Sequence, residues 1–117
     1  MTTLAEAARA LSARPLTEAP ISDAPVDGVV ASDRLSDVLL LSQPGSLLVT
    51  GLTNCQVVRT AEMADLAGIC VTRGQEVGAA TIALAREAEV QVMITDLSLF
   101  EACGRLYAAG FRTEAPL

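Results

Sequence analysis

Three threonines each close an apolar run just before a turn: Thr50 in "LLVTG" (47–51), Thr72 in "ICVTRG" (69–74) and Thr95 in "VMITD" (92–96). A hydroxyl at that place can bond to neighbouring turn backbone or to a ligand. The helix expected behind each turn offers unpaired amide hydrogens and partial positive charge. The chemistry this pattern suits is capture of a small anion or a nucleotide phosphate. The polar residues in the same turns extend the set, because Asn54, Arg73 and Asp96 stand in the loops or at the helix starts, and an arginine pairs readily with phosphate or carboxylate. The candidate ligand-binding residues are therefore Thr50, Gly51, Thr53, Asn54, Thr72, Arg73, Gly74, Thr95 and Asp96. A structural role fits the same residues. Threonine is β-branched and favours strand ends, Asp96 has the alternatives of pairing with Arg73 or capping the last helix, and Arg59 suits a solvated helix face. "TGLTN" matches neither the phosphate-loop pattern nor the dinucleotide fingerprint, so no specific nucleotide motif is present.

Composition removes other chemistries. The chain has 117 residues and a net charge of −6, with a pI near 4.4, so it lacks the basic face that nucleic acid requires. All eight basic residues are arginines. Without histidine or lysine there is no imidazole base, no Schiff-base amine and no histidine ligand for a metal. Acid–base work would rest on Asp96, Glu101 or a thiol with no recognisable partner spacing, so no catalytic residue is assigned and no enzyme is expected. Cys55, Cys70 and Cys103 form no C-x-x-C pair. They read as reduced, buried structural thiols that hold no metal, with Cys55 set apart by its place in the first turn of a helix. No cofactor is called.

The elements that must position these residues follow from periodicity. The composition, 51% hydrophobic and 19% charged, supplies one core, and the length suits one domain over 1–117. No run approaches a membrane span, and the N-terminal stretch is not a secretory signal, so a cytoplasmic address is expected. Thr3–Ala13 places Leu4, Ala7, Ala8 and Leu11 on one helical face and Pro15 ends it, making 1–14 an N-terminal amphipathic helix. Residues 15–27 hold three prolines and read as a loop with at most a short extended piece near Leu16. "VDGVVAS" (26–32) reads as a strand. Ser32 or Asp33 is expected to cap the helix that follows, and Gln43-Pro44-Gly45 to end it. Thereafter the apolar runs recur at intervals of 22 and 23 residues, the length of a strand, a crossover helix and two loops. In 53–68, Thr53 or Asn54 is placed to cap, Val57, Val58, Ala61 and Ala64 to face inward, and Gly68 to terminate the helix. In 98–110, Ser98 caps with Glu101, and Gly110 ends the helix. The expected fold is α/β: one domain with a mostly parallel sheet of about four to five strands, helices on both faces, and the three threonines along its carboxyl edge.

"GVVASDRLSDVL", "GSLLVTGLTNCQVVRTAEMADLAGICVTRG" and "VMITDLSLFEACGRLYAAG" resemble the DRTGG domain, above all its small stand-alone members found beside iron-only hydrogenase and related redox genes. The resemblance covers about residues 15–111 and leaves 112–117 as a tail. It implies an α/β fold similar to the N-terminal domain of HPr kinase and a regulatory role, as in family members attached to CBS-domain pyrophosphatases and phosphotransacetylases. It also implies a tendency to dimerise. The family is named for an Asp-Arg pair after the third strand and a Thr-Gly-Gly after the next. Here the first position reads Thr53-Asn54 and the second Thr72-Arg73-Gly74, so Thr72 and Gly74 match and the charge of the motif differs.

Two functional classes remain. The first is a non-catalytic regulatory domain that binds a small anionic metabolite or nucleotide at the carboxyl edge. The second is a homodimeric interaction or assembly subunit for a redox enzyme such as an iron-only hydrogenase, with no small-molecule ligand. A homodimer is expected in either case, since a small domain gains stability by burying further surface.

Overall fold

The computed structural model describes residues 2–113. Its element order is α1 (Leu4–Leu11), β1 (Arg14–Pro15), β2 (Gly28–Ala31), α2 (Leu35–Leu41), β3 (Ser46–Thr50), α3 (Cys55–Met63), β4 (Gly68–Val71), α4 (Ala79–Glu87), β5 (Val92–Ile94) and α5 (Leu99–Ala108). The five strands form one sheet in the order β1-β5-β4-β3-β2. β2 to β5 are parallel, and β1 closes the far edge antiparallel to β5. This is the mostly parallel α/β sheet that the apolar runs predict.

The sheet is buried on both faces, which is why β3, β4 and β5 read as unbroken apolar runs rather than alternating ones. Alternate residues go to opposite cores. Leu47, Val49, Cys70 and Met93 pack with α1 and α5, through Leu4, Ala7, Leu11, Ala102 and Leu106. Leu48, Ile69, Val71, Val92 and Ile94 pack with α2, α3 and α4, through Val38, Val57, Val58, Ala61 and Ala85. The three crossover helices share one face because the strands advance in one direction from β2 to β5, and connections of one hand then fall on one side. α1 and α5 cover the other face, so helices flank the sheet on both sides.

Local rules explain most element ends. Thr3 caps α1 by accepting the Glu6 N–H, Asn54 caps α3 by accepting the Val57 N–H, and Ser98 caps α5 by accepting the Glu101 N–H. Gly110, φ +99°, ends α5 as expected. The extended piece expected near Leu16 is β1, and the Leu16 N–H continues it onto the Val92 carbonyl.

Three expectations are corrected. Gly68 does not terminate α3. Asp65 takes the left-handed conformation there (φ +55°), and Gly68 opens β4, where a Cβ would press 3.1 Å from the Gln91 carbonyl and 3.2 Å from the Leu4 methyls. Its glycine serves close approach between a strand and α1, not a turn. Ala64, expected to face inward, caps the end of α3 and is half-buried. Neither Ser32 nor Asp33 caps α2: the N-cap is Arg34, with no side-chain cap bond, and Asp33 reaches across the sheet edge instead. The C-terminal stretch read as a tail lies partly outside the described residues, at 114–117. Arg112 within it is held, its carbonyl accepting the Val29 N–H at 3.0 Å.

Candidate functional site

The carboxyl ends of β2, β3, β4 and β5 stand side by side. Thr50, Thr72 and Thr95 therefore share one edge, as their spacing predicts. All three are buried to within 1% exposure, and all three hydroxyls are engaged by the protein itself. The Thr50 hydroxyl donates to Asp33 Oδ1 (2.9 Å) and accepts the Leu52 N–H (3.2 Å). The Thr72 hydroxyl donates to the Thr50 carbonyl (3.4 Å). The Thr95 hydroxyl donates to the Leu11 carbonyl (2.6 Å) and accepts the Leu97 N–H (3.3 Å). The threonines thus fix the turns, and polar groups offered to solvent at this edge come from other residues.

Those residues fall into three clusters. In the first, Gly51 lies between Asp33 and Arg73. The Gly51 N–H donates to Asp33 Oδ1 (2.7 Å), and a Cβ on Gly51 would meet Arg73 Nη2 at 3.5 Å and both Asp33 carboxylate oxygens at 3.6 Å. Glycine leaves room there for a carboxylate and a guanidinium to flank one backbone amide. Among the described residues the single ion pair is Arg34 with Asp37 (3.7 Å), so Arg73 is exposed and forms no ion pair with a carboxylate. The second cluster joins the β4 and β5 turns. The Arg73 N–H donates to the Leu97 carbonyl and the Gly74 N–H to the Thr95 carbonyl, both at 2.8 Å. A Cβ on Gly74 would stand 2.8 Å from Asp96 Oδ1. Asp96 neither pairs with Arg73 nor caps α5, the two roles weighed for it, because Ser98 is the cap and Asp96 lies over Gly74. The third cluster is at the start of α3, where Thr53 presents its carbonyl to the Thr81 hydroxyl (3.0 Å) and Cys55 Sγ lies 3.6 Å from that hydroxyl. Beside it α4 begins behind its N-cap Gly78, which makes no side-chain cap bond, with Ala79 and Ala80 exposed, so that no cap among the described residues takes up its first-turn amides.

The turn Thr72-Arg73-Gly74-Gln75 carries the sharpest local signal. Arg73 and Gly74 both have positive φ, +60° and +59°, and the Gln75 N–H bonds back to the Thr72 carbonyl, the pattern of a type I′ turn, which favours Asn or Gly at both central places. The other non-glycine residues with positive φ, Ser12, Asp65 and Glu89, each follow a helix end, where that conformation is usual. Arg73 occupies it in a loop at the sheet edge.

Asp33 is the residue that sequence reasoning left out of the site. Its signal was present, since "VVASD" ends β2 with a polar residue as the other runs end in threonine, and Asp33-Arg34 is the chain's one Asp-Arg dipeptide. The cysteines differ from expectation in part. Cys70 is fully buried, and burial pushes its thiol up to about 12. Cys103 and Cys55 are half-buried; burial also raises the Cys103 pKa. Cys103 borders a groove beside α5, and Cys55 sits at an exposed helix start. Among the described residues, no three Cys, Asp or Glu side chains are placed to hold a metal ion, and no helix is long and apolar enough to cross a membrane.

No family profile matches the sequence, and neither does any curated protein sequence. The fold does have a solved counterpart. The crystal structure of the CBS and DRTGG domains of the regulatory region of Clostridium perfringens pyrophosphatase, complexed with the activator diadenosine tetraphosphate, superposes with a TM-score of 0.75 over 92% of this chain at 18% identity. The chain has a DRTGG-like fold. It spans 47% of the length of that neighbour, and at this identity the likeness extends to architecture alone. The chain carries Thr72-Arg73-Gly74 at the end of β4, and the type I′ turn accounts for the glycine there.

Proposed function

We propose that the chain is a non-catalytic regulatory domain that receives a small anion, a phosphorylated metabolite or nucleotide, at the carboxyl edge of β3 and β4. The observation that carries this reading is Arg73: an exposed guanidinium without an ion-pair partner among the described residues, laid over Gly51, on a backbone conformation that a non-glycine residue adopts at a cost of about 1–2 kcal/mol. The uncapped start of α4 adds amide donors at the same edge. Asp33, which accepts the Thr50 hydroxyl and the Gly51 N–H, would orient the Thr50–Gly51 turn beneath the ligand. The neighbour's complex with a nucleotide activator supports a ligand-responsive role and makes diadenosine tetraphosphate the first probe.

The test is a thermal-shift screen of diadenosine tetraphosphate, ATP, pyrophosphate and dicarboxylates against the parent and Arg73→Gly. Glycine relieves the left-handed turn, so the variant should fold at least as stably, yet lose a charge-assisted contact typically worth about 1.5–3 kcal/mol, roughly ten- to more than a hundredfold in affinity. Stabilisation of the parent that persists unchanged in Arg73→Gly would overturn Arg73 as the anion contact, and no response to any anion would overturn the sensor.

A second reading, a homodimeric assembly subunit for a redox enzyme, is favoured by one observation. Leu39, Leu40 and Leu41 lie exposed in succession at the end of α2, with Leu40 at 74%, and large apolar side chains gathered at one helix end suit a protein contact.

A further inference from the structure

α5 leaves the outer strand of the sheet partly uncovered. Between α5 and the free edge of β2 lies a groove of about 380 Å³, within the range of small-ligand sites. Val29, Ala31, Leu106 and Phe111 form an apolar floor. At its rim the Arg112 guanidinium stacks 3.8 Å above the Tyr107 ring, and its Nη1 donates to the Tyr107 and Phe111 carbonyls at 3.0 and 2.7 Å. Those contacts occupy one nitrogen of a five-donor fork, so the rest of a fixed guanidinium remains available. Among the described residues no acidic side chain lines the groove, in a chain whose net charge is −6. The neutral Cys103 thiol on its wall adds no competing charge.

The strand edge narrows the choice of occupant. The Ser32 N–H points to β3, bonding to the Val49 carbonyl, so alternation turns the Val29 and Ala31 N–H groups outward toward the groove side. Arg112 already fills the Val29 position through its carbonyl. An added peptide strand is therefore blocked at Val29, whereas a compact ligand fits beside the Ala31 amide, which has no hydrogen-bond partner among the described residues.

We propose that this groove binds a small apolar carboxylate, an aromatic or branched aliphatic acid, with its body on Val29, Leu106 and Phe111 and its carboxylate on Arg112. The site uses different residues from the carboxyl-edge anion site and stands independently of it. Phenylacetate is a suitable probe, with phenylacetamide as its uncharged counterpart and inorganic phosphate as a bare anion. In a ¹H–¹⁵N correlation titration, phenylacetate should shift the amides of Ala31, Cys103, Tyr107 and Arg112 saturably, and phenylacetamide should bind about tenfold more weakly. Arg112→Gln should weaken phenylacetate about tenfold and leave phenylacetamide unchanged. Ala31→Leu, at an exposed strand position that tolerates the change, should fill the groove and abolish binding of both; it decides the matter alone if Arg112→Gln disturbs the fold. Absence of saturable shifts at these residues, equal affinity of phenylacetate for the parent and a folded Arg112→Gln, undiminished binding to Ala31→Leu, or the same shifts with phosphate would each overturn the proposal.

Discussion

Asp33 and Thr50 join the carboxyl ends of two neighbouring strands: the fully buried Thr50 hydroxyl donates to Asp33 Oδ1 at 2.9 Å, and the next residue, Gly51, donates its N–H to the same oxygen at 2.7 Å. One carboxylate oxygen thus satisfies a buried hydroxyl and a turn amide. Removing it leaves both without an acceptor, so Asp33→Ala should cost about 1–3 kcal/mol, and Asp33→Asn, which keeps a carbonyl oxygen in place, less. Urea unfolding midpoints measure both. Equal midpoints for parent and Asp33→Ala would mean that water replaces the carboxylate without loss.

The three edge threonines should not respond alike. Thr95 ties the end of α1 to β5 through a buried bond to the Leu11 carbonyl, 84 residues away in sequence. Thr72 makes only a long bond of 3.4 Å to a carbonyl that already accepts the Thr72 N–H. Valine preserves the shape of both. Thr95→Val should lose about 1–3 kcal/mol and Thr72→Val about 0.5 or less, read from denaturant unfolding. The reverse ranking would contradict the hydrogen-bond assignment.

Alkaline pH probes Cys70. Its thiol is raised from the ordinary 9.0 to about 12 by burial, so between those values the unfolded chain releases a proton that the folded chain retains. Stability is then intact below pH 9 and falls as pH rises toward 12, by up to about 1.4 kcal/mol per pH unit. Burial acts on Cys103 in the same direction. Cys70→Ala should lower stability near pH 8 by about 1 kcal/mol for the lost sulfur, yet flatten the decline between pH 9 and 11. Parallel pH profiles of unfolding free energy for parent and variant would count against it.

The exposed leucines of α2 carry the dimer expectation. The chain mass is 12.1 kDa, and sedimentation at micromolar concentration should report about twice that. Leu40→Glu, at a site too exposed to affect the core, should return the monomer while the melting transition of the fold persists. A monomeric parent would remove the main support for the assembly reading.

Sequence alone determined the parts of this protein that depend on near neighbours along the chain. Apolar runs 22 and 23 residues apart specified parallel strands with crossover helices, because each strand is buried on both faces and must recur at the length of one βαβ unit. Caps at Thr3, Asn54 and Ser98 act within one turn, and Asn54 and Ser98 were readable from side-chain chemistry alone. What tertiary structure decided were the relations between distant residues. Asp33 looked like a cap for α2, and only the alignment of β2 with β3 shows that its carboxylate turns to Thr50 and Gly51. Gly68 looked like a helix terminator, and only the approach of Leu4 and the Gln91 carbonyl reveals why a side chain is excluded there. The hydroxyls of Thr50, Thr72 and Thr95 looked available to a ligand, yet each finds an acceptor at least 17 residues away. Local patterns register which groups reach the sheet edge; how those groups are partnered depends on contacts that no spacing along the chain encodes.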